Sequence, residues 1–216
     1  MNLEEVKQAV KDWNKQRTSP ESVLSYFKQG CCFKIEKLQY EQWRKLSPVS
    51  LHAYMAVFNG VLKIVLIDNE SDKDPAAHKD SIFVQDYLLG IDIEEQGFIE
   101  RAKDGNITVC NALKKMARWN IFLNSWVYNT VDSPYGIFQA FLIPFSDLVA
   151  QFEDSPNTES IVLFGLSYEN EADLLLWGLN SPNGRKLIIG DPYDSPVENL
   201  VCPVPPFGSE EMGLLQ

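Results

Sequence analysis

The first thirteen residues repeat apolar side chains at helical spacing: Leu3, Val6, Ala9, Val10 and Trp13. Glu4, Lys7, Gln8, Lys11 and Lys15 fall on the other side. This pattern predicts an amphipathic helix, capped by Asn2 with Glu5 placed to complete a capping box. Ser19-Pro20 starts a second helix through Val23, Leu24, Tyr26 and Phe27, and Gly30 suits its end. Cys31 to Leu38 alternates as a strand does, and Tyr40 to Leu46 reads as a short helix stopped by Pro48.

The clearest pattern is "LHAYMAVFNGVLKIVLID", two β-prone runs around Asn59-Gly60. Asn-Gly is the strongest two-residue hairpin turn, and it pairs Phe58 with Val61. One face is then Leu51, Ala53, Met55, Val57, Leu62, Ile64 and Leu66, wholly apolar. The opposite face is mixed: His52, Tyr54, Ala56, Phe58, Val61, Lys63, Val65 and Ile67. A slip of one residue would exchange the faces, so the register is firmly specified.

Asp68 to Ser81 reads as a polar loop, and Ser81 to Ile93 as extended chain. A long helix is predicted from Asn106 through Val127, with Lys114, Lys115 and Arg118 on its wet side. From Trp119 to Tyr128 it is apolar nearly all round, which predicts burial on most sides. "SPYG" at 133–136 breaks it; "IFQAFLI" is a strand ended by Pro144; Ser146 is placed to cap a helix from Asp147 to Phe152. "SIVLFGLSY" and "DLLLWGL" flank "ENEA" as a second hairpin, and "SPNG" leads to a further run, "RKLIIGD". These elements predict an α+β fold: antiparallel β-hairpins in a sheet, N-terminal helices, and a long central helix packed against it. One domain is expected over 1–208, its N-terminal helical segment spanning about 1–48, with 209–216 a flexible acidic tail.

The closing stretch "LVCPVPPFG" sets Pro203, Pro205 and Pro206 among Leu200, Val201, Cys202, Val204 and Phe207. A displayed proline-rich ligand would expose all of that apolar surface. Val201 to Phe207 is therefore expected to lie as an extended strap against the body, anchored by Phe207.

Composition adds a charge asymmetry. The chain has 216 residues and a formal net charge of −11. Residues 1–118 carry 17 Lys and Arg against 17 Asp and Glu; residues 119–216 carry 2 against 13. Nucleic-acid binders need a basic stripe, so no nucleic-acid partner is expected. An anionic membrane would repel the acidic half, and no apolar run reaches the ~18 residues of a spanning helix. Charges from Glu4 onward argue against a signal peptide, so a soluble, cytoplasmic protein is expected. An acidic half suits a basic protein partner.

Candidate chemistry is sparse. Cys31, Cys32, Cys110 and Cys202 form no CxxC pair, which disfavours structural zinc. Cys31 and Cys32, as strand neighbours, would point to opposite faces. His52 and His78 are the only histidines, and no Cys–His spacing stands out. "GLSYE" departs from a nucleophile elbow at its last position, and "GLNSPNGRK" departs from a phosphate loop in length and in its final residues. Asp68, Glu70, Asp72 and Asp74 offer a weak calcium possibility, but an EF-hand would need Gly and Glu where Lys73 and Lys79 stand. The leading expectation is a non-catalytic interaction or regulatory protein, inhibitor- or immunity-like, with no cofactor. The alternative is a small-molecule binder or enzyme using His52, Tyr54 and Lys63 on the mixed face of the 51–68 hairpin.

Overall fold

The computed structural model describes residues 2–89, 106–107, 109–153, 157–179, 197–198, 202–205 and 212–215. The "SPNG" turn, the "RKLIIGD" run, Phe207 and the end of the 81–93 extension lie outside the described residues.

Helix α1 (Leu3–Gln16) starts where the side chain of Asn2 accepts from the Glu4 amide. Helix α2 (Pro20–Phe27) starts at Ser19, whose Oγ accepts from the Ser22 amide. Gly30 serves a different end from the helix stop expected of it. A Cβ there would sit 2.7 Å from the Tyr87 ring, so the glycine permits a close approach. Strand β1 (Cys32–Glu36) and helix α3 (Lys37–Trp43) follow.

The first hairpin is β2 (Ser50–Phe58) and β3 (Val61–Asp68). Phe58 pairs with Val61, and the register runs back to Leu51 opposite Asp68. Asn59 and Gly60 both take positive φ, 51° and 80°, as the tight turn requires. The seven residues of the apolar face are buried in the main core, as the pattern predicts.

The "polar loop" after β3 is more structured than its composition suggests. It holds α4 (Asn69–Asp72) and a 3₁₀ turn at Lys79–Ser81. Asp68, Asn69, Ser71 and Asp72 are buried. Strand β4 (Phe83–Asp86) leads toward β5 (Asn106–Ile107) and the long helix α5 (Val109–Val131). Strand β6 (Ala140–Pro144) runs into α6 (Phe145–Phe152), whose N-cap is Pro144 rather than Ser146. Strands β7 (Glu159–Leu166) and β8 (Ala172–Leu179) make the second hairpin. Two short strands, β9 (Val197–Glu198) and β10 (Cys202–Val204), complete the sheets.

There are two antiparallel sheets, ordered β1-β7-β8-β9-β5 and β10-β6-β2-β3-β4. One face of each contributes to a shared core, with Phe33, Val162, Phe164 and Leu174 from the first and Met55, Ile64 and Phe141 from the second. The back of the second sheet is covered by Leu3, Val6, Ala9 and Val10 of α1. Ala112 and Met116 of α5 cover the back of the first. This confirms the α+β reading with a central helix on the sheet.

The strap expectation holds where it is described. Cys202–Val204 is a strand, with Pro203 opposite Phe141, on the outer edge of β6. The loose-tail expectation for 209–216 fails at Met212–Leu215. Met212, Gly213 and Leu214 are buried, and Gly213–Leu215 forms a 3₁₀ turn against α1. Their apolar side chains join the cluster between α1 and the back of the hairpin. Burying a side chain like Leu214 contributes roughly 1.5–3 kcal/mol.

Candidate functional site

His52 and Tyr54 do not face solvent. Both are fully buried, and both meet Asp72, which α4 carries back against the hairpin. His52 Nδ1 lies 2.7 Å from Asp72 Oδ2, and the Tyr54 hydroxyl donates to the same oxygen. Burial, followed by the charge of Asp72, pushes the Tyr54 phenol well above its ordinary range. The Leu214 backbone N–H bonds Tyr54 and works the other way, so the C-terminal turn touches this cluster directly. Gly213 is required there, because a Cβ would stand 2.0 Å from the Asp72 carbonyl oxygen. Asp68 Oδ2, Ser71 Oγ and Asp72 Oδ1 are buried with no partner among the described residues.

Lys63 is not part of this cluster. Its ammonium lies 2.6 Å from Asp86 of the neighbouring strand. The acids of the calcium possibility also go separate ways. Asp68 caps α4 through the amides of Glu70 and Ser71, Glu70 pairs with Lys73, and Asp74 accepts from Ala77. Among the described residues no three metal-ligating side chains converge. A ligand could reach His52 and Tyr54 only if α1 or Met212–Leu215 moved away.

An open site lies on α5, where the sequence predicts burial on most sides; another cleft, of about 480 Å³, lies between Glu4, Glu5, Asp12 and Phe58. Trp119, Trp126 and Val127 are buried, but Ile121 is 71% exposed, and Phe122 and Tyr128 also face solvent. One side of the helix packs; the other does not. Polar Asn120, Asn124, Ser125 and Asn129 are interleaved with these apolar side chains on the outer side.

The β7–β8 turn is fastened beside this face. Arg118 donates from Nε to the Ser167 carbonyl at 3.1 Å and from Nη2 to Asn170 Oδ1 at 3.0 Å. Trp126 Nε1 donates to the Asn170 carbonyl at 2.9 Å. Asn170 takes a positive φ of 64°, which asparagine tolerates better than most residues. The Arg118 guanidinium then lies 5.2 Å from the Phe122 ring centroid and 4.9 Å from that of Tyr168. Cation–π attraction of this kind is worth about 0.5–1 kcal/mol at exposed sites. Tyr168 is itself 65% exposed.

Two open clefts join along this face. One, of about 340 Å³, runs beside Arg118, Phe122 and Ser125. The other, of about 150 Å³, lies between Tyr135, Phe138, Pro203 and Pro205. They share Trp126, Thr130 and Asn170. Exposed Asp132, Glu169 and Glu171 stand at the margins, and Glu21 of α2 accepts from the Tyr128 hydroxyl.

Some acids of the C-terminal half are neutralised by the N-terminal half. Glu153 is clamped by Arg44, Glu159 lies 2.8 Å from Lys34, and Asp173 lies 2.5 Å from Lys115. Arg44, with the Tyr40 hydroxyl, holds the Glu153 carboxyl down at about 2. Burial pushes Asp173 up to about 6 despite the lysine beside it. The exposed acids around α5 and the β7–β8 turn are separate from these three pairs.

Composition and motifs gave no pointer to Arg118, Phe122 or Tyr168. The available signal was the interruption of the apolar run by Asn120, Asn124, Ser125 and Asn129, which marks a solvent side. No protein-family model, curated protein or solved structure matches the chain. Among the described residues no helix is long and apolar enough to cross a membrane.

Proposed function

We propose that this chain is a non-catalytic interaction or regulatory protein, inhibitor- or immunity-like, that docks a basic segment of another protein on the outer face of α5 and the β7–β8 turn. The observation that carries this reading is the exposure of Phe122 and Tyr168 on either side of Arg118 and of Tyr135 along the adjoining cleft, with Ile121 and Tyr128 also exposed on α5. Aromatic residues and arginine are the groups enriched at energetically dominant interface positions. Scattered exposed apolar residues need no explanation, but two exposed rings held by one arginine beside a cleft do. The occupant is basic because the flanking exposed charges of the turn and helix end are Asp132, Glu169 and Glu171. Such rim charges steer association and make it salt-dependent. The clefts are partly open rather than enclosed, which suits a polypeptide better than an engulfed small molecule.

A photo-crosslinking residue at position 121 or 168 tests this in extract from the native host. Crosslinks to a protein through a Lys- or Arg-rich segment, reduced at high salt and by Phe122→Ala, support the reading. Crosslinks that match those from a control position at Lys7, or that ignore both salt and Phe122→Ala, overturn it.

A further inference from the structure

Cys31 and Cys32 lie at the seam between the two sheets. The Cys31 amide donates to the Leu88 carbonyl at 2.7 Å, and the Leu88 amide donates to the Cys32 carbonyl at 2.8 Å. This isolated bridge joins β1, in one sheet, to the chain that leaves β4, in the other. The two thiols are not on opposite sides, because Cys31 precedes β1 and escapes its alternation. Both sulfurs approach neighbouring carbonyls, Cys31 Sγ at 3.6 Å from Leu89 and Cys32 Sγ at 3.8 Å from Leu88. Cys31 is partly accessible, whereas Cys32 is buried among Ile161, Leu163 and Leu175.

We propose that Cys31 and Cys32 form a thiol–disulfide exchange site, in which the Cys31 sulfur attacks a low-molecular-weight disulfide and the Cys32 sulfur resolves the product. Accessibility decides the order, since the incoming disulfide can reach only the outer sulfur. In the first step the Cys31 thiolate bonds one sulfur of the disulfide and expels the other as a thiolate, which takes up a proton. In the second, the Cys32 thiol gives up its proton and its sulfur attacks Cys31, expelling the second small thiol. The protein loses two electrons and two protons; the small disulfide is reduced to two thiols.

Local chemistry favours this division of labour. Contact with the neighbouring Cys32 thiol draws the Cys31 thiol down to about 7, which favours its thiolate. Cys32 is shifted strongly upward by the same contact and by burial, so it stays protonated until Cys31 has reacted. Adjacent Cα atoms stand about 3.8 Å apart, closer than an ordinary disulfide spans. The product is therefore strained and easily reduced, as reversible rather than structural disulfides are. Closing the ring must reorient the 31–32 peptide, which loosens the Leu88 bridge between the sheets.

The test is incubation of the full chain with oxidised glutathione, followed by peptide mapping and thermal melting. The expected products are a Cys31–Cys32 disulfide without retained glutathione, a lower melting temperature, and full reversal by dithiothreitol. Cys32→Ser should retain glutathione on Cys31. Cys32→Ala, which removes the neighbouring donor altogether, should slow alkylation of Cys31 at pH 7 roughly threefold to tenfold, as the thiol returns toward its ordinary value of about 8.5. A glutathione adduct that persists on wild-type Cys31 overturns the proposal, as does reaction confined to Cys110 or Cys202. The wild-type map decides the matter even if Cys32→Ser fails to fold.

Discussion

The back of the β2–β3 hairpin and the outer side of α5 exchange the roles their sequences suggest. The hairpin back carries a histidine, a tyrosine and a lysine and reads as a surface; His52 and Tyr54 are sealed from solvent. The α5 segment from Trp119 to Tyr128 reads as a core helix; it exposes Ile121, Phe122 and Tyr128. Polarity alone does not decide exposure. What decides it is whether a covering element exists and whether it brings partners for buried polar groups. For the hairpin, α1 supplies apolar cover and Asp72 supplies the acceptor. For α5, the buried side takes Trp119 and Trp126, and nothing among the described residues covers the other.

The sharpest way to break this comparison is a matched pair of charges. Val10→Asp places a carboxylate between α1 and the hairpin back, where Val10 is wholly buried. A loss of about 3–5 kcal/mol is expected from an uncompensated buried charge. Ile121→Asp should cost less than about 0.5 kcal/mol, because the side chain is already in water. Urea denaturation of both variants measures the difference. Equal losses would mean that α5 is covered after all.

A smaller effect is expected at the C-terminal turn. Leu214→Ala should cost roughly 2–4 kcal/mol as a large-to-small change at a buried site. For a chain of this size that lowers the melting temperature by several degrees. A melt unchanged by Leu214→Ala would return 209–216 to a loose tail and reopen the approach to His52 and Tyr54.

The smallest effect concerns pH. Glu153 is held at about 2 by Arg44, below the ordinary carboxylate value. Its contribution to stability is therefore present above the unfolded value of about 4.3 and lost as pH falls toward 2. Titration of the Glu153 carboxyl by NMR should give that low midpoint, and Arg44→Gln should raise it. Because the pair is partly exposed, its effect on the melt at neutral pH should be minor. A midpoint near 4.3 in the wild type would show that the clamp does not form in solution.

Much of the fold is legible in local signals. Asn59-Gly60 and strict alternation set the β2–β3 register, and Ser19-Pro20 sets the start of α2. Neither site region could be read this way. The hairpin cluster depends on Asp72, twenty residues beyond His52, and on Leu214 at the other end of the chain. The α5 face depends on a turn 49 residues after Arg118, held by carbonyl and amide groups that leave no mark in hydrophobic periodicity. Periodicity reports that a helix has an apolar side; it does not report how much of that side a neighbour covers. The burial of Met212 and Leu214 is invisible in the sequence for a related reason, since only tertiary contact shows that these side chains have somewhere to go.

Strand β10 has a consequence during synthesis. It supplies the outermost strand beside β6, and about sixty residues separate the two in the chain. Chains emerge at roughly 5–20 residues per second, so the outer edge of β6 waits several seconds for its partner. An unpaired strand edge is a template for the same strand in a neighbouring nascent chain. Chains stalled between Pro144 and Cys202 are therefore the ones expected to associate edge to edge, and release of β10 from the ribosome is the event that ends the hazard.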